Sequence, residues 1–90
     1  MKKSTKTLKG LKKYVKSLKV SEGTETFIKD EILSLIDIAE EEDDDDNGED
    51  IIGTIQDECH DGAYEEGEVE NPFTEEELED FLNKFELNID

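Results

Sequence analysis

The feature that most limits this chain is the segregation of its charge. Residues 1–20 hold eight lysines (Lys2, Lys3, Lys6, Lys9, Lys12, Lys13, Lys16 and Lys19) and no acid. Residues 21–90 hold all 28 Asp and Glu residues against Lys29 and Lys84. The two parts therefore carry +8 and −26, for a net charge of −18, and there is no arginine. Carboxylates almost never go into a core unpaired. The 28 acids must line the outside, and the core must come from the 32% of residues that are hydrophobic. An ordinary soluble chain has about 45–50%. With 90 residues, this is one small domain at most. The charge divides it into a basic amphipathic segment, 1–20, and an acidic helical domain, 21–90.

Several classes fall away. No run approaches the roughly 18 apolar residues of a membrane span. The single cysteine, Cys59, rules out a disulfide scaffold. Binding nucleic acid through net charge is opposed over most of the chain, since phosphates would be repelled. Residues 1–20 place a lysine every three or four positions and never form a continuous apolar core, so no secretory leader is expected there. With the lone thiol, this suits a reducing cytoplasm, that of a host cell if the protein is viral.

Hydrophobic spacing predicts an all-α protein, a small three- or four-helix assembly. In the first segment, Thr5–Val20, Leu8, Leu11, Val15 and Leu18 share one helical face and lysines fill the other, with Gly10 as a weak point. In the second, Thr24–Glu42, Ile28, Ile32, Leu35, Ile36 and Ala39 form the strongest stripe, with Thr24 or Thr26 as the expected cap. Asp43–Asp46 and Asn47-Gly48 should end it, because adjacent carboxylates oppose the negative end of a helix dipole. The third, Glu49–Cys59, has Ile51, Ile52, Ile55 and Cys59 at helical spacing, although Gly53 and the β-branched isoleucines leave a short strand open. Asp61-Gly62 should stop it, and the acidic stretch Tyr64–Asn71 reads as a loop. The fourth, Thr74–Leu87, opens with a capping box (Thr74, Glu77) and a hydrophobic staple (Phe73, Leu78). Short helices with narrow apolar stripes leave a homodimer open as a way to cover them.

Little of this supports catalysis. Cys59 and His60 are neighbours, about 100° apart on a helix, whereas a nucleophilic Cys-His pair meets from distant segments. The expectation is a packed Cys59 and a solvated His60. Zinc would want four nitrogen or sulfur ligands and only these two are present. A raised-pKa carboxylic acid needs a shaped pocket that so small a core is poorly placed to build. The protein is read as a non-enzyme without a cofactor. Asp43 to Gly48 match the first half of an EF-hand loop and follow an amphipathic helix, which raises a weak calcium-binding alternative. The match then fails, with Thr54 where a bidentate Glu is needed and Asp50 at the hydrophobic eighth position. The basic segment could lie on an anionic membrane or nucleic acid. The −26 body behind it argues against both, so it is expected to fold back onto that body or onto a partner subunit, with a mobile tail as the alternative.

The acids then become the candidate binding residues. Glu25, Asp30, Asp37 and Glu41 lie on or beside the outer side of the second helix. Glu75, Glu79 and Glu86 can share one side of the last, with Glu76 and Asp80 beside them and Asp43, Asp44, Asp45 and Asp46 between the two helices. Duplex DNA carries one charge per about 1.7 Å, so the 26 net charges of residues 21–90 equal roughly 44 Å of duplex, or about 13 base pairs. In size and charge pattern, residues 21–90 resemble the DNA-mimic inhibitors made by bacteriophages, which are small, acidic, often dimeric and share no common motif. That resemblance implies a partner that is a basic DNA-binding protein of a host: a histone-like nucleoid protein, a restriction or CRISPR nuclease, a uracil glycosylase or a polymerase. It implies neither direct nucleic-acid nor membrane contact. The alternative is an acidic adaptor or chaperone that holds a basic protein through an apolar groove involving Phe81 or Phe85.

Overall fold

A computed structural model describes residues 6–42 and 48–87. Four helices follow one another: α1 (Leu8–Ser17), α2 (Thr24–Glu41), α3 (Gly48–His60) and α4 (Glu75–Lys84). Among the described residues there is no strand, only a single bridge between Glu66 and Val69. The body measures 32 × 26 × 23 Å.

The amphipathic stripes explain the packing. Leu8, Leu11 and Val15 of α1, Ile28, Ile32 and Ile36 of α2, Ile51, Ile52 and Ile55 of α3, and Leu78, Phe81 and Leu82 of α4 are all buried in one cluster. α2 and α3 each pack against all three of the other helices, and α1 and α2 form the most extensive pair. The basic segment thus shares the core with the acidic part, and the boundary near residue 20 is one of charge. Ile38, 52% exposed, is the large hydrophobic residue left outside among the described residues.

The helix ends follow local chemistry, with two departures from expectation. Thr7 caps α1 by accepting the Gly10 amide at 3.0 Å. Thr74 and Glu77 form the reciprocal capping box of α4, at 3.1 and 2.9 Å, and the staple residues Phe73 and Leu78 are both buried. Neither Thr24 nor Thr26 caps α2. Gly23 occupies the cap position with φ +100°, which glycine tolerates, while Thr24 is already helical and donates to Glu77 at 3.0 Å. The third segment is helical throughout, because its apolar residues recur at a helical period and find α2 and α4 to pack on. Its start is Gly48, whose amide donates to the Lys6 carbonyl at 2.6 Å.

α3 and α4 end in the same way. The amide of Ala63 donates to Glu58 O at 2.9 Å across a left-handed Gly62, and that of Leu87 donates to Leu82 O at 2.8 Å across a left-handed Glu86. This is the Schellman arrangement, in which glycine is the favoured left-handed residue. Glu86 therefore lies beyond α4, at φ +56°, and is not on the helical face of Glu75 and Glu79 as the sequence suggested.

Candidate functional site

Each of the 23 described acids keeps solvent contact: 19 are exposed and Glu25, Glu31, Glu49 and Glu58 are half-buried. Hydration demands this of any carboxylate, so exposure alone carries no function. What matters is how they are held and which of them the chain's own cations engage.

On α2, Asp30, Asp37 and Glu41 recur at i, i+7 and i+11 and are all exposed. The helical rise spreads them over about 16 Å. Asp37 is engaged by Lys12 of α1, whose Nζ lies 3.1 Å from Asp37 Oδ1 and 2.8 Å from Glu40 Oε1. The two carboxylates raise the Lys12 pKa, Glu40 most. Asp30 and Glu41 make no ion pair with another described residue. Glu25 does not lie on this outer face: it is half-buried and tied to Lys84 of α4 at 2.8 Å. Lys84, with help from the Ser21 amide, holds the Glu25 carboxyl below the usual range.

On α4, Glu75, Glu76, Glu79 and Asp80 are exposed within the first six residues of the helix. Glu75 faces His60 Nδ1 at 3.2 Å, linking the end of α3 to the start of α4. Glu76, Glu79 and Asp80 make no ion pair with another described residue. The Thr74 amide and the Thr24 hydroxyl hold Glu77 below the ordinary carboxylate range, so its charge is used inside the fold. Asp43, Asp44, Asp45 and Asp46 lie outside the described residues.

The lysines divide into two sets. Lys12, Lys29 and Lys84 brace the fold. Lys29 Nζ donates to Leu18 O at 2.9 Å and Lys16 O at 3.4 Å, placing a cation at the negative end of α1. Lys6, Lys9, Lys13, Lys16 and Lys19 are exposed and make no ion pair with another described residue. α1 thus returns to the body as expected, and it does so through Leu8, Leu11 and Val15 with Lys12 at the edge.

Other readings meet this geometry in turn. Cys59 is buried, its thiol directed at Phe73 O at 3.9 Å; burial, followed by Glu75 and Glu77, pushes its pKa up. His60 is directed instead to Glu75, so the two neighbours have different partners. Both border a cleft of about 650 Å³ between the end of α3 and the start of α4. Residues 48–54 are helical, which puts the second half of the EF-hand-like loop inside α3. No group of metal-ligating side chains occurs among the described residues. Phe81 is a core residue, and Phe85 is half-buried with its ring 4.8 Å from that of Phe81. No described helix is long and apolar enough to cross a membrane.

The sequence missed one polar centre. Tyr64, assigned to a loop, is buried and stacked on Phe73 with ring centroids 4.6 Å apart. Its hydroxyl lies 2.7 Å from Glu58 Oε2 and 3.2 Å from Glu31 Oε1. Burial, followed by these carboxylates, drives the phenol pKa far upward. An aromatic residue inside an otherwise acidic stretch was the available signal for an anchor.

No family model matches the chain, and no curated protein or solved structure is significantly similar to it.

Proposed function

We propose that this protein binds a basic DNA-binding protein of a host cell and inhibits it by presenting carboxylates in place of phosphates. The observation that carries the reading is the placement of Asp30, Asp37 and Glu41 along α2 and of Glu75, Glu76, Glu79 and Asp80 along the start of α4. These acids stand on helices locked into a common core, so their spacing is fixed before any partner arrives. A preorganised ladder of charge loses less entropy on binding than an acidic tail would. Its approach to a lysine- and arginine-lined groove would also release counterions, as DNA does. The exposed lysines of α1 would form a separate basic face, leaving Asp30, Glu41, Glu76, Glu79 and Asp80 open to a partner.

The test is affinity capture from bacterial lysate, followed by competition with duplex DNA for each captured protein. The reading requires at least one DNA-binding protein whose complex is displaced by duplex DNA and weakened by salt. Failure to recover one refutes it.

A further inference from the structure

We propose that α1 is a strap which, through a closed ring of contacts with α2 and α4, sets the placement of the acidic row of α4 against that of α2. Three ties form the ring. Lys29 of α2 donates to Leu18 O at 2.9 Å and Lys16 O at 3.4 Å, holding the C-terminal end of α1. Tyr14 of α1 donates its hydroxyl to Phe85 O at 2.6 Å, at the C-terminal end of α4. Lys84 of α4 meets Glu25 of α2 at 2.8 Å and closes the ring. The Glu25 carboxylate also accepts from the Ser21 amide at 3.0 Å, so the linker between α1 and α2 is held by the same group.

The ties exist because helix ends need them. The last carbonyls of a helix have no partner within it. Leu18 and Phe85 are the C-caps of α1 and α4, and in each case a side chain from another helix serves the carbonyl. The ring is tight: Glu25 and Lys29 are four residues apart on α2, Tyr14 and Leu18 four apart on α1, and Lys84 and Phe85 adjacent on α4, so each helix is gripped within about one turn. The start of α2 holds α4 at a second point as well, because the Thr24 hydroxyl donates to Glu77 at 3.0 Å. Glu77 and Lys84 are seven residues apart, about 10 Å of helix, so these two holds fix the direction of α4 as well as its position. Beyond the left-handed Glu86, the fully buried Leu87 locks the end. Ties joined in a ring support one another: while two stand, the third re-forms at high effective concentration, and losing one weakens the rest. The lysine-bearing segment thereby has a task inside an acidic protein that uses none of its exposed lysines.

The use made of the two acidic rows rests on the reading above, but the test of the ring needs no partner protein. Amide exchange and residual dipolar couplings are measured on the ¹⁵N-labelled full chain, with the Ile52 and Ile55 amides of α3 as the reference for global stability. Lys29→Gln removes a tie between α2 and α1, yet relative to that reference it should lower protection of the Phe85 and Leu87 amides of α4 by roughly threefold or more, the size of one net hydrogen bond. Lys84→Gln removes a tie between α4 and α2, yet it should lower protection of the Leu18 amide of α1 by a similar factor. The double variant should lose less than the product of the two. Lys12→Gln, whose tie between α1 and α2 lies outside the ring, should change neither. Tyr14→Phe deletes one hydroxyl and keeps the aromatic ring, and in it the couplings of α4 should no longer fit the alignment shared with α2 and α3. Losses confined to the helices each substitution touches, single losses that multiply in the double variant, or α4 couplings unchanged by Tyr14→Phe overturn the proposal. The DNA competition can fail while the ring stands, and the reverse, so the two ideas fall separately.

Discussion

Replacing Leu11 by alanine should loosen α1 far more than removing the ion pairs of the adjacent Lys12. Leu11 is fully buried at 0% exposure, and its truncation removes apolar contact and leaves a cavity. Substitutions of this kind cost about 2.7–5 kcal/mol. A domain of 90 residues has roughly 5–13 kcal/mol to lose at typical stability per residue. At about 4–8 °C per kcal/mol, Leu11→Ala should lower Tm by 10 °C or more. Lys12→Gln should cost a small fraction of that, since its partners Asp37 and Glu40 are solvated and regain water. The assay is urea unfolding of wild type and both variants in low and high sodium chloride. Salt should not release α1: it screens Lys12 but leaves the Leu8, Leu11 and Val15 contact intact, and it relieves repulsion within a molecule of net charge −18. Amide exchange of α1 reports this locally. Equal losses from the two substitutions, or protection of α1 that collapses in high salt, would refute apolar docking.

Three further outcomes are expected. Thr74→Ala should cost about 1 kcal/mol in urea unfolding by removing the acceptor for the Glu77 amide, and Thr74→Ser should restore it. Glu86→Gly should raise stability by about 0.5–1 kcal/mol, because glycine relieves the left-handed strain at φ +56°; a drop would show that the Glu86 side chain holds more than the strain costs. Glu25 and Glu77 have folded pKa values below their unfolded ones, so their stabilisation is present above the ordinary glutamate range near 4.5 and is lost as pH falls through the folded values. A Glu25→Gln, Glu77→Gln variant should therefore lose less stability than wild type between pH 6 and pH 3, measured by chemical unfolding; an identical acid limb would contradict the assignment.

Much of the fold was legible because its signals are local. The 3.6-residue stripe of α2, the Thr74–Glu77 box and the Asp61-Gly62 stop each act within a few residues, and each appears where the spacing put it. The third segment was ambiguous because β-branched isoleucines at 51, 52 and 55 suit strand or helix, and the partners on α2 and α4 decide. The cap of α2 was misread because a threonine before an apolar run invites the reading, whereas Thr24 reaches 53 residues ahead to Glu77. The bracing role of Lys84, tied to Glu25 across 59 residues, had no local sign either. At the candidate site, helical periodicity placed Asp30, Asp37 and Glu41 on one face. It could not tell which acids the chain's own lysines would engage. Glu31 and Glu58 escaped notice because only folding brings them to Tyr64.

In the proposed function, carboxylates fixed on α2 and α4 take the place of phosphates. The most direct measurement is the affinity of the captured DNA-binding protein for this chain, taken against increasing salt and increasing duplex DNA. Duplex should displace the chain competitively, the logarithm of affinity should fall steeply with that of salt, and neutralising Asp30, Glu41, Glu76, Glu79 and Asp80 together should abolish binding while the helices stay folded. A complex that persists in saturating DNA, or survives that neutralisation, would contradict the account.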